Sequence, residues 1–372
     1  PVMTLDRPGD SEVLSFGAGS LDRLRWESGN RRAPAAGEVE IAVRAAGLNF
    51  RDVMLALGML PDEAVENGFA GATLGMESAG VITRVGDGVT GFAPGDAVLC
   101  FAPACFASHV VVGTTAVVRK PDDLDFAAAA TIPTVFFTVY YALNKLADLR
   151  RGERILIHGA AGGVGLAAIQ YARHVGADIF ATAGSGEKRD LVRLCGVAEE
   201  HILDSRTLAF ADRIMALTGG EGVDVVLNSL AGEAIHRSLA VLRPFGRFLE
   251  LGKRDFFANT ALGLRPFRNN ISYFGIDADQ LMAVRPDLAS RLFGEMMDLF
   301  KAGVFRPLPY RLFSGARISD AFRHMQQARH LGKIVVIPAR RHPAVHADPA
   351  SGVASSRFTI DPEAAYLVTG GL

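Results

Sequence analysis

A glycine-rich segment after an apolar run has the composition of a phosphate-binding loop. The run at 155–158 leads into Gly159-Ala160-Ala161-Gly162-Gly163-Val164-Gly165, and helix-forming residues follow. When the segment is aligned with the dinucleotide-binding fingerprint G-x-G-x-x-G, Ala160 takes the place of the first glycine. Gly162 would let the backbone approach a pyrophosphate, and Gly165 would let the helix pack closely on a sheet. The helix N-terminus adds unpaired N–H groups, so the segment predicts a nucleotide-binding turn.

The end of the next predicted strand indicates which nicotinamide cofactor is bound. An NAD site places an acid about 20 residues after the glycines, where it bonds the ribose hydroxyls. Here Asp178–Ala183 continues as Gly184-Ser185-Gly186 without an acid at its tip, and Lys188 and Arg189 follow. Two cations and a hydroxyl suit a 2′-phosphate, so NADPH is the expected cofactor. The alternative interpretation is that Lys188 and Arg189 lie at the solvent-exposed start of the next helix and bind no cofactor.

The elements that position these residues divide the chain into two predicted domains. Short apolar runs broken by turns in the first third indicate an antiparallel, barrel-like domain. From about residue 127, strands alternate with helices, which is typical of a parallel sheet. The predicted fold is α/β, with a barrel-like substrate domain (1–129 and 268–338) and a Rossmann cofactor domain (130–267). The predicted strands are 39–43, 80–85, 97–101, 154–158, 178–183, 223–228, 247–251 and 333–337, and the predicted helices include 164–175 and 188–194.

The composition excludes several classes of function. The 372 residues are 49% hydrophobic and 21% charged, which is ordinary for a globular protein and enough for two domains. A net charge of −1 gives no electrostatic footprint for nucleic acid or an anionic membrane. Cys100, Cys105 and Cys195 cannot form a disulfide framework and fit a reducing, cytoplasmic compartment. No apolar run is expected to cross a bilayer, and the N-terminus does not resemble a signal peptide.

Four further motifs, in both predicted domains, accompany the glycine loop. They are Leu48-Asn49-Phe50-Arg51-Asp52-Val53, Val223-Asp224-Val225-Val226-Leu227-Asn228-Ser229-Leu230, Gly246-Arg247-Phe248-Leu249-Glu250-Leu251-Gly252-Lys253 and Gln327-Ala328-Arg329-His330-Leu331-Gly332-Lys333. Together these motifs resemble the enoyl-reductase domains of polyketide synthases and animal fatty acid synthase. The resemblance covers about residues 39–336. It implies the medium-chain dehydrogenase/reductase fold, with a GroES-like substrate domain beside the Rossmann domain.

The C-terminal segment resembles the start of a different domain. Residues 339–362 are rich in Pro, Ala and Ser and are expected to form a linker. Ala365-Tyr366-Leu367-Val368-Thr369-Gly370-Gly371-Leu372 is similar to the first strand and glycine turn of a ketoreductase domain. That domain follows the enoyl reductase in reducing polyketide synthases, so we expect the chain to be a piece of a longer polypeptide.

The resemblance implies reduction of the α,β-double bond of an acyl chain held as a thioester on acyl carrier protein. Hydride from NADPH goes to the β-carbon and a proton to the α-carbon, which requires a positioned nicotinamide and a proton source. Lys253 matches the family's candidate proton donor and Asp277 the acid that works with it. Asp279 is the alternative acid. The alternatives for Lys253 are an exposed cation or a phosphate contact.

The resemblance also implies the surroundings of the reaction. Asn228, Leu230 and Gly252 are expected at the nicotinamide, Thr138 at its ribose, and Lys333 reaching the cofactor from the substrate domain. The expected substrate pocket contains Asn49, Phe50 and Leu60.

Leu60 departs from the pattern of many relatives. They carry a tyrosine here that protonates or steers the enolate, whereas this chain reads Gly58-Met59-Leu60-Pro61. An apolar residue at this position is associated with the opposite α-methyl configuration. We therefore expect an α-methyl product to have the configuration of the class without the tyrosine.

No metal is expected at the positions where zinc alcohol dehydrogenases of this layout bind one. Such a site needs three protein ligands, and this chain has Asn49 and Met76 where those enzymes offer Cys and His. Two other functions stay open, a free-standing zinc-independent NADPH quinone oxidoreductase and an inactive cofactor-binding scaffold. The expected partners are acyl carrier protein and adjacent ketoreductase and dehydratase domains. A monomer and a homodimer both fit the sequence.

Overall fold

Fifteen strands and twelve α-helices form in residues 10–66 and 68–338, which this computed structural model describes. The strands are β1 (Asp10–Ser15), β2 (Arg25–Asn30), β3 (Glu38–Leu48), β4 (Glu77–Val85), β5 (Ala97–Phe101), β6 (His109–Gly113), β7 (Val117–Arg119), β8 (Arg154–Ile157), β9 (Asp178–Ala183), β10 (Ile202–Asp204), β11 (Val223–Asn228), β12 (Leu242–Glu250), β13 (Ser272–Gly275), β14 (Tyr310–Ser314) and β15 (Lys333–Ile337). The helices are α1 (Phe50–Ala56), α2 (Asp62–Glu66), α3 (Phe126–Ala129), α4 (Pro133–Val139), α5 (Gly163–Val175), α6 (Gly186–Leu194), α7 (Phe210–Leu217), α8 (Glu233–Ala240), α9 (Arg254–Phe257), α10 (Ala278–Val284), α11 (Pro286–Lys301) and α12 (Ile318–Gln326). The linker and the ketoreductase-like segment predicted for 339–372 lie outside the described residues.

A six-stranded parallel sheet forms from the alternating strands and helices of the second half. Its order is β10-β9-β8-β11-β12-β13, and each neighbouring pair is parallel. Counted from β8 in chain order, this is the doubly wound order 3-2-1-4-5-6 of dinucleotide-binding domains. The apolar strand β8 is buried because helices cover both faces of such a sheet. The Rossmann prediction is confirmed.

Two strands of this sheet were not predicted from the sequence. Strand β10 has only three residues, and β13 has partly exposed residues without a continuous apolar run. Strand β13 pairs with β12 in parallel, so the sheet continues past residue 267, where the sequence analysis placed the domain boundary. Strand β12 also begins at Leu242, before the predicted start at 247.

A second, mostly antiparallel sheet has the order β14-β15-β3-β4-β5-β7, with β6 pairing β3. Only β14 and β15 are parallel. Its long central strand β3 is buried along most of its length, because it is covered by neighbours on both sides. Strands from the first third of the described chain and from its C-terminal part form this sheet together. This agrees with the prediction of an α/β fold with a barrel-like domain.

One helical stretch corrects the expectation about apolar runs. Residues Phe126–Leu146, which include α3, α4 and a π-helix at Tyr140–Leu146, are long and apolar enough to cross a membrane by length and composition alone. However, 61% of the apolar window is buried inside the protein. The Phe136 ring packs 4.8 Å from the Phe300 ring and 4.9 Å from the Phe305 ring. The stretch therefore has the burial and contacts of a core helix.

Candidate active site

The glycine loop between β8 and α5 has the geometry that phosphate binding requires. Gly159 has a φ of +61°, a conformation that other residues rarely adopt. Gly162 is the N-cap of α5, whose first N–H groups therefore face the loop. A Cβ at Gly165 would lie 2.5 Å from the Ala160 backbone, so only glycine allows α5 to pack this closely. The loop fits a pyrophosphate.

A cavity of about 410 Å³ opens beside this loop. Ser185 lies on its wall and caps α6, because its hydroxyl accepts a hydrogen bond from Lys188 N at 3.3 Å. Lys188 Nζ donates to the Ala328 carbonyl at 2.7 Å, and burial, with a contribution from Arg206, lowers the Lys188 pKa. The cavity wall consists of Gly159, Ala161, Gly162, Ala183, Gly184, Ser185, Lys188, Ser205, Arg206, Gln327, Ala328 and His330.

Two arginines near this cavity differ in their position. Arg189 is not on the cavity wall, and its Nη1 lies 3.4 Å from the Ala183 carbonyl and 3.9 Å from Asp204 Oδ2. Arg206, which follows β10, is on the wall. Sequence reasoning missed Arg206 because it did not locate the three-residue strand before it.

Lys253 and Asp277 meet at the carboxyl edge of the parallel sheet. Lys253 Nζ lies 3.1 Å from Asp277 Oδ2 and donates to the Ile276 carbonyl at 2.8 Å. The two side chains are 32% and 37% exposed, so both remain open to a ligand. Asp279 is half-buried, and burial, then the charge of Asp277, raises its pKa to about 6. The ion pair is made with Asp277, the first of the two candidate acids.

The ends of β11 and β12 are joined by side chains. Asn228 Nδ2 donates to Glu250 Oε2 at 2.6 Å and to the Leu230 carbonyl at 2.8 Å. Glu250 Oε1 accepts from Gly252 N at 2.6 Å. Burial raises the pKa of Glu250 to about 7. The three residues expected at the nicotinamide therefore belong to one network, and Glu250 is a member that sequence reasoning did not select.

A buried ion pair beside the glycine loop links β15 to β4, two strands of the mostly antiparallel sheet. Lys333 Nζ lies 2.5 Å from Glu77 Oε1, and the side chains are 3% and 0% exposed. Asn49 Nδ2 donates to Glu77 Oε1 at 2.8 Å, and Thr134 N donates to Glu77 Oε2 at 2.8 Å. A Cβ at Gly163 would lie 3.1 Å from Lys333 Cδ, so glycine there makes room for this lysine. Asn49 and Lys333 thus share one buried network.

The remaining expected residues occupy different surroundings. Phe50 is 59% exposed, whereas Leu60 is half-buried and packs against the core. The Thr138 hydroxyl donates to the Thr134 carbonyl of its own helix at 2.8 Å. Asp52 is buried, and its carboxylate accepts from Gly75 N and Asn49 N, at 2.8 and 2.9 Å. Burial raises the Asp52 pKa to about 6.

The zinc-ligand positions of related folds do not fit a metal here. Within residues 10–66 and 68–338, no group of three or more His, Cys, Asp or Glu side chains is placed to hold one. Met76 is buried, and Cys105 donates to the Ala102 carbonyl at 3.1 Å. We therefore assign no step of the reaction to a metal.

Two family models match the chain. An alcohol dehydrogenase GroES-like domain matches residues 35–122, and a zinc-binding dehydrogenase model matches residues 198–336. Together with the doubly wound sheet and its glycine loop, these matches define a two-domain oxidoreductase with a dinucleotide-binding fold.

Individual relatives give a narrower assignment. The chain is 42% identical to the pikromycin polyketide synthase component PikAII of Streptomyces venezuelae and to the reducing polyketide synthase FUB1 of Gibberella fujikuroi, over 95% of its residues in each case. It spans only 9% and 14% of their lengths. The crystal structure of CurK enoyl reductase is 43% identical with a TM-score of 0.81, and the match covers 88% of this chain and 99% of that one. The chain belongs to the enoyl-reductase family of polyketide synthases, within the medium-chain dehydrogenases/reductases.

Proposed function

We propose that the chain uses NADPH to reduce the α,β-double bond of an enoyl thioester carried by acyl carrier protein. The observation that carries the proposal is the Lys253–Asp277 ion pair of 3.1 Å at the carboxyl edge of the sheet. Open α/β sheets bind their ligands at this edge. A cation there can donate a proton to an enolate, and the family assignment supports an enoyl thioester as the substrate.

We assign the cofactor to the following residues. The glycine loop and the N-terminus of α5 would hold the pyrophosphate, and Ser185, Lys188 and Arg206 the 2′-phosphate. Thr138, Lys333 and the network at the ends of β11 and β12 would surround the nicotinamide and its ribose. When bound, NADPH supplies the hydride that the β-carbon receives.

The chain's own residues then handle the proton. An ammonium group has three N–H donors. Lys253 Nζ donates one to the Ile276 carbonyl and forms an ion pair with Asp277. Another of its N–H groups would donate to the substrate. The Asp277 carboxylate, 3.1 Å from Lys253 Nζ, fixes the direction of the amine. Lys253 is therefore assigned as the donor of the α-carbon proton.

The partners and the setting follow from the relatives. They are multidomain polyketide synthases, so we infer that acyl carrier protein delivers the substrate and that ketoreductase and dehydratase domains adjoin this one in a cytoplasmic polypeptide. The reaction is proposed to be zinc-independent because the donor set does not fit zinc. Monomer and homodimer remain alternatives for the assembly.

Loss of NADPH absorbance with 2-methylcrotonyl-pantetheine, measured beside NADH and a quinone, tests the function. We expect thioester-dependent oxidation that prefers NADPH. Turnover with the quinone alone would instead identify a quinone oxidoreductase. Cofactor binding without turnover of either substrate would identify a scaffold.

The 2′-phosphate assignment predicts a change in cofactor preference. A hydrogen bond to a charged group contributes about 1.5–3 kcal/mol, so Lys188→Ala and Arg206→Ala should each raise KM for NADPH about 10- to 100-fold. KM for NADH should stay within about twofold, since NADH lacks the phosphate. Arg189→Ala is the matched control, because Arg189 is not on the cavity wall. Equal losses for both cofactors would contradict the assignment.

Leu60 predicts the configuration of an α-methyl product. Its side chain has no proton to give, so the product of a 2-methyl-enoyl thioester should have the configuration of the class without the tyrosine. Leu60→Tyr adds an O–H donor and should increase the share of the opposite configuration, whereas Leu60→Phe should not. Chiral chromatography of the product measures both. A wild-type product with the configuration of the tyrosine class would refute the prediction.

A further inference from the structure

Glu250 lies where three strands of the parallel sheet end, yet the proposed reaction gives its carboxylate no chemical role. The residue is 2% exposed. One carboxylate oxygen accepts from Asn228 Nδ2 and the other from Gly252 N, each at 2.6 Å. Its carbonyl accepts from Ile276 N at 2.9 Å. The residue thus ties the end of β12 to β11 on one side and to the segment after β13 on the other.

Both groups that face the carboxylate are donors, which favours the ionised form. Protonation would weaken the oxygen that carries the proton as an acceptor, and replacement by an amide would point an N–H at one of these donors. Asn228 cannot turn its amide over to compensate. Its Nδ2 donates to the Leu230 carbonyl at 2.8 Å, and its Oδ1 accepts from Leu230 N at 3.3 Å.

The residues that Glu250 holds are those assigned to the reaction. Gly252 precedes Lys253, and a Cβ on Gly252 would lie 2.7 Å from Glu250 Oε1, so the carboxylate packs directly on this turn. Lys253 in turn donates to the carbonyl of Ile276, whose N–H is bound to the Glu250 carbonyl. We propose that Glu250 is a positioning residue, whose carboxylate fixes the Gly252–Lys253 turn and the end of β11 in the geometry that the reaction needs. This inference rests on the proposed function.

The charges around Glu250 give the proposal a pH signature. Burial is the largest cause of its raised pKa, followed by the opposing hydrogen bonds, the nearby charge of Asp255 and the opposite charge of Lys253. On β13 the facing group is Tyr273, whose own pKa is raised to about 12, and on β11 it is the uncharged Asn228. Because the pKa of Glu250 is raised to about 7, its ionised carboxylate, which accepts these hydrogen bonds, predominates above that pH and is lost below it.

Steady-state kinetics across the pH range around 7 test this role, with NADPH and 2-methylcrotonyl-pantetheine. For the wild type, kcat should fall on the acid side with a midpoint near 7. Glu250→Gln should lower kcat at least about tenfold above that midpoint, because one positioning hydrogen bond is lost. The decrease of kcat on the acid side (the acid limb) should disappear in this variant. KM for NADPH should change less than about threefold. Glu221→Gln, at an exposed pair with Arg154, is the control and should match the wild type.

A second variant tests the role without altering the carboxylate. Asp255→Asn keeps an oxygen that can accept from Gly232 N, which lies 3.2 Å from Asp255 Oδ2, and removes a charge that adds to the effect of burial in raising the Glu250 pKa. The midpoint of the kcat decrease at acid pH should shift to lower pH in this variant, and kcat above that midpoint should stay unchanged. An unchanged limb in both variants would overturn the positioning role while leaving the proposed function intact. A wild-type chain that does not turn over the thioester would overturn the proposed function and this inference with it.

Discussion

Lys253→Ala is expected to lower thioester turnover about 100-fold or more, because a positioned general acid typically contributes about 10²–10⁴ in rate. The affinity for NADPH should stay within about twofold, since the amine is held by Asp277 and the Ile276 carbonyl at the sheet edge. Steady-state kcat with 2-methylcrotonyl-pantetheine and a fluorescence titration with NADPH separate the two effects. Weakened binding with normal kcat would reassign Lys253 as a phosphate contact.

Two further variants complete this prediction. Asp277→Asn should also lower kcat, because it removes the carboxylate that fixes the amine, whereas Asp279→Asn should have the smaller effect. Lys301→Ala is the matched control, since Lys301 pairs with Asp298 on an exposed helix face with side chains 72% and 71% exposed. A larger loss in Asp279→Asn than in Asp277→Asn would make Asp279 the working acid.

Lys333→Met is expected to reduce the free energy of unfolding by about 3–5 kcal/mol. It would leave the carboxylate of Glu77 buried and without its cation, and the transfer of an unpaired charge out of water is costly. Urea unfolding followed by circular dichroism measures the change. The double variant Lys333→Met with Glu77→Gln should recover part of the loss, because it removes both charges.

The exposed pair of Lys301 and Asp298 supplies the comparison for this stability effect. Lys301→Met should change the free energy of unfolding by no more than about 1 kcal/mol, as is usual for exposed ion pairs. If Lys333→Met lost as little stability as Lys301→Met, the buried Lys333–Glu77 pair would not contribute to the stability of the fold.

Strong local patterns explain which parts of the fold were predictable. Strands β8, β9 and β11 are apolar runs with glycine loops or helices after them, so their places in a parallel sheet follow from the sequence. Strand β10 is too short and β13 too exposed to give such a signal. Their positions depend on pairing with β9 and β12, which is a tertiary effect.

Side-chain contacts over long sequence separations explain what the sequence missed in the site. Glu77 and Lys333 are 256 residues apart, and no local pattern links them. Arg189 follows Lys188 directly, yet only Lys188 is on the cavity wall, because adjacent helical residues point in different directions. Pairing of Lys253 with Asp277 was expected from family resemblance, and the structure places the two side chains in contact. Glu250 is identified by its burial and its two donors.

The destination of the transferred hydrogen distinguishes reduction of an enoyl thioester from the alternative activities. The chain would be incubated with 2-methylcrotonyl-pantetheine and NADPH deuterated at the transferring position, and the product examined by NMR. We predict deuterium at the β-carbon, and, with unlabelled NADPH in heavy water, deuterium at the α-carbon. A product that carries the NADPH label at the α-carbon, or no labelled thioester at all while a quinone is reduced, would contradict the assignment as an enoyl-thioester reductase.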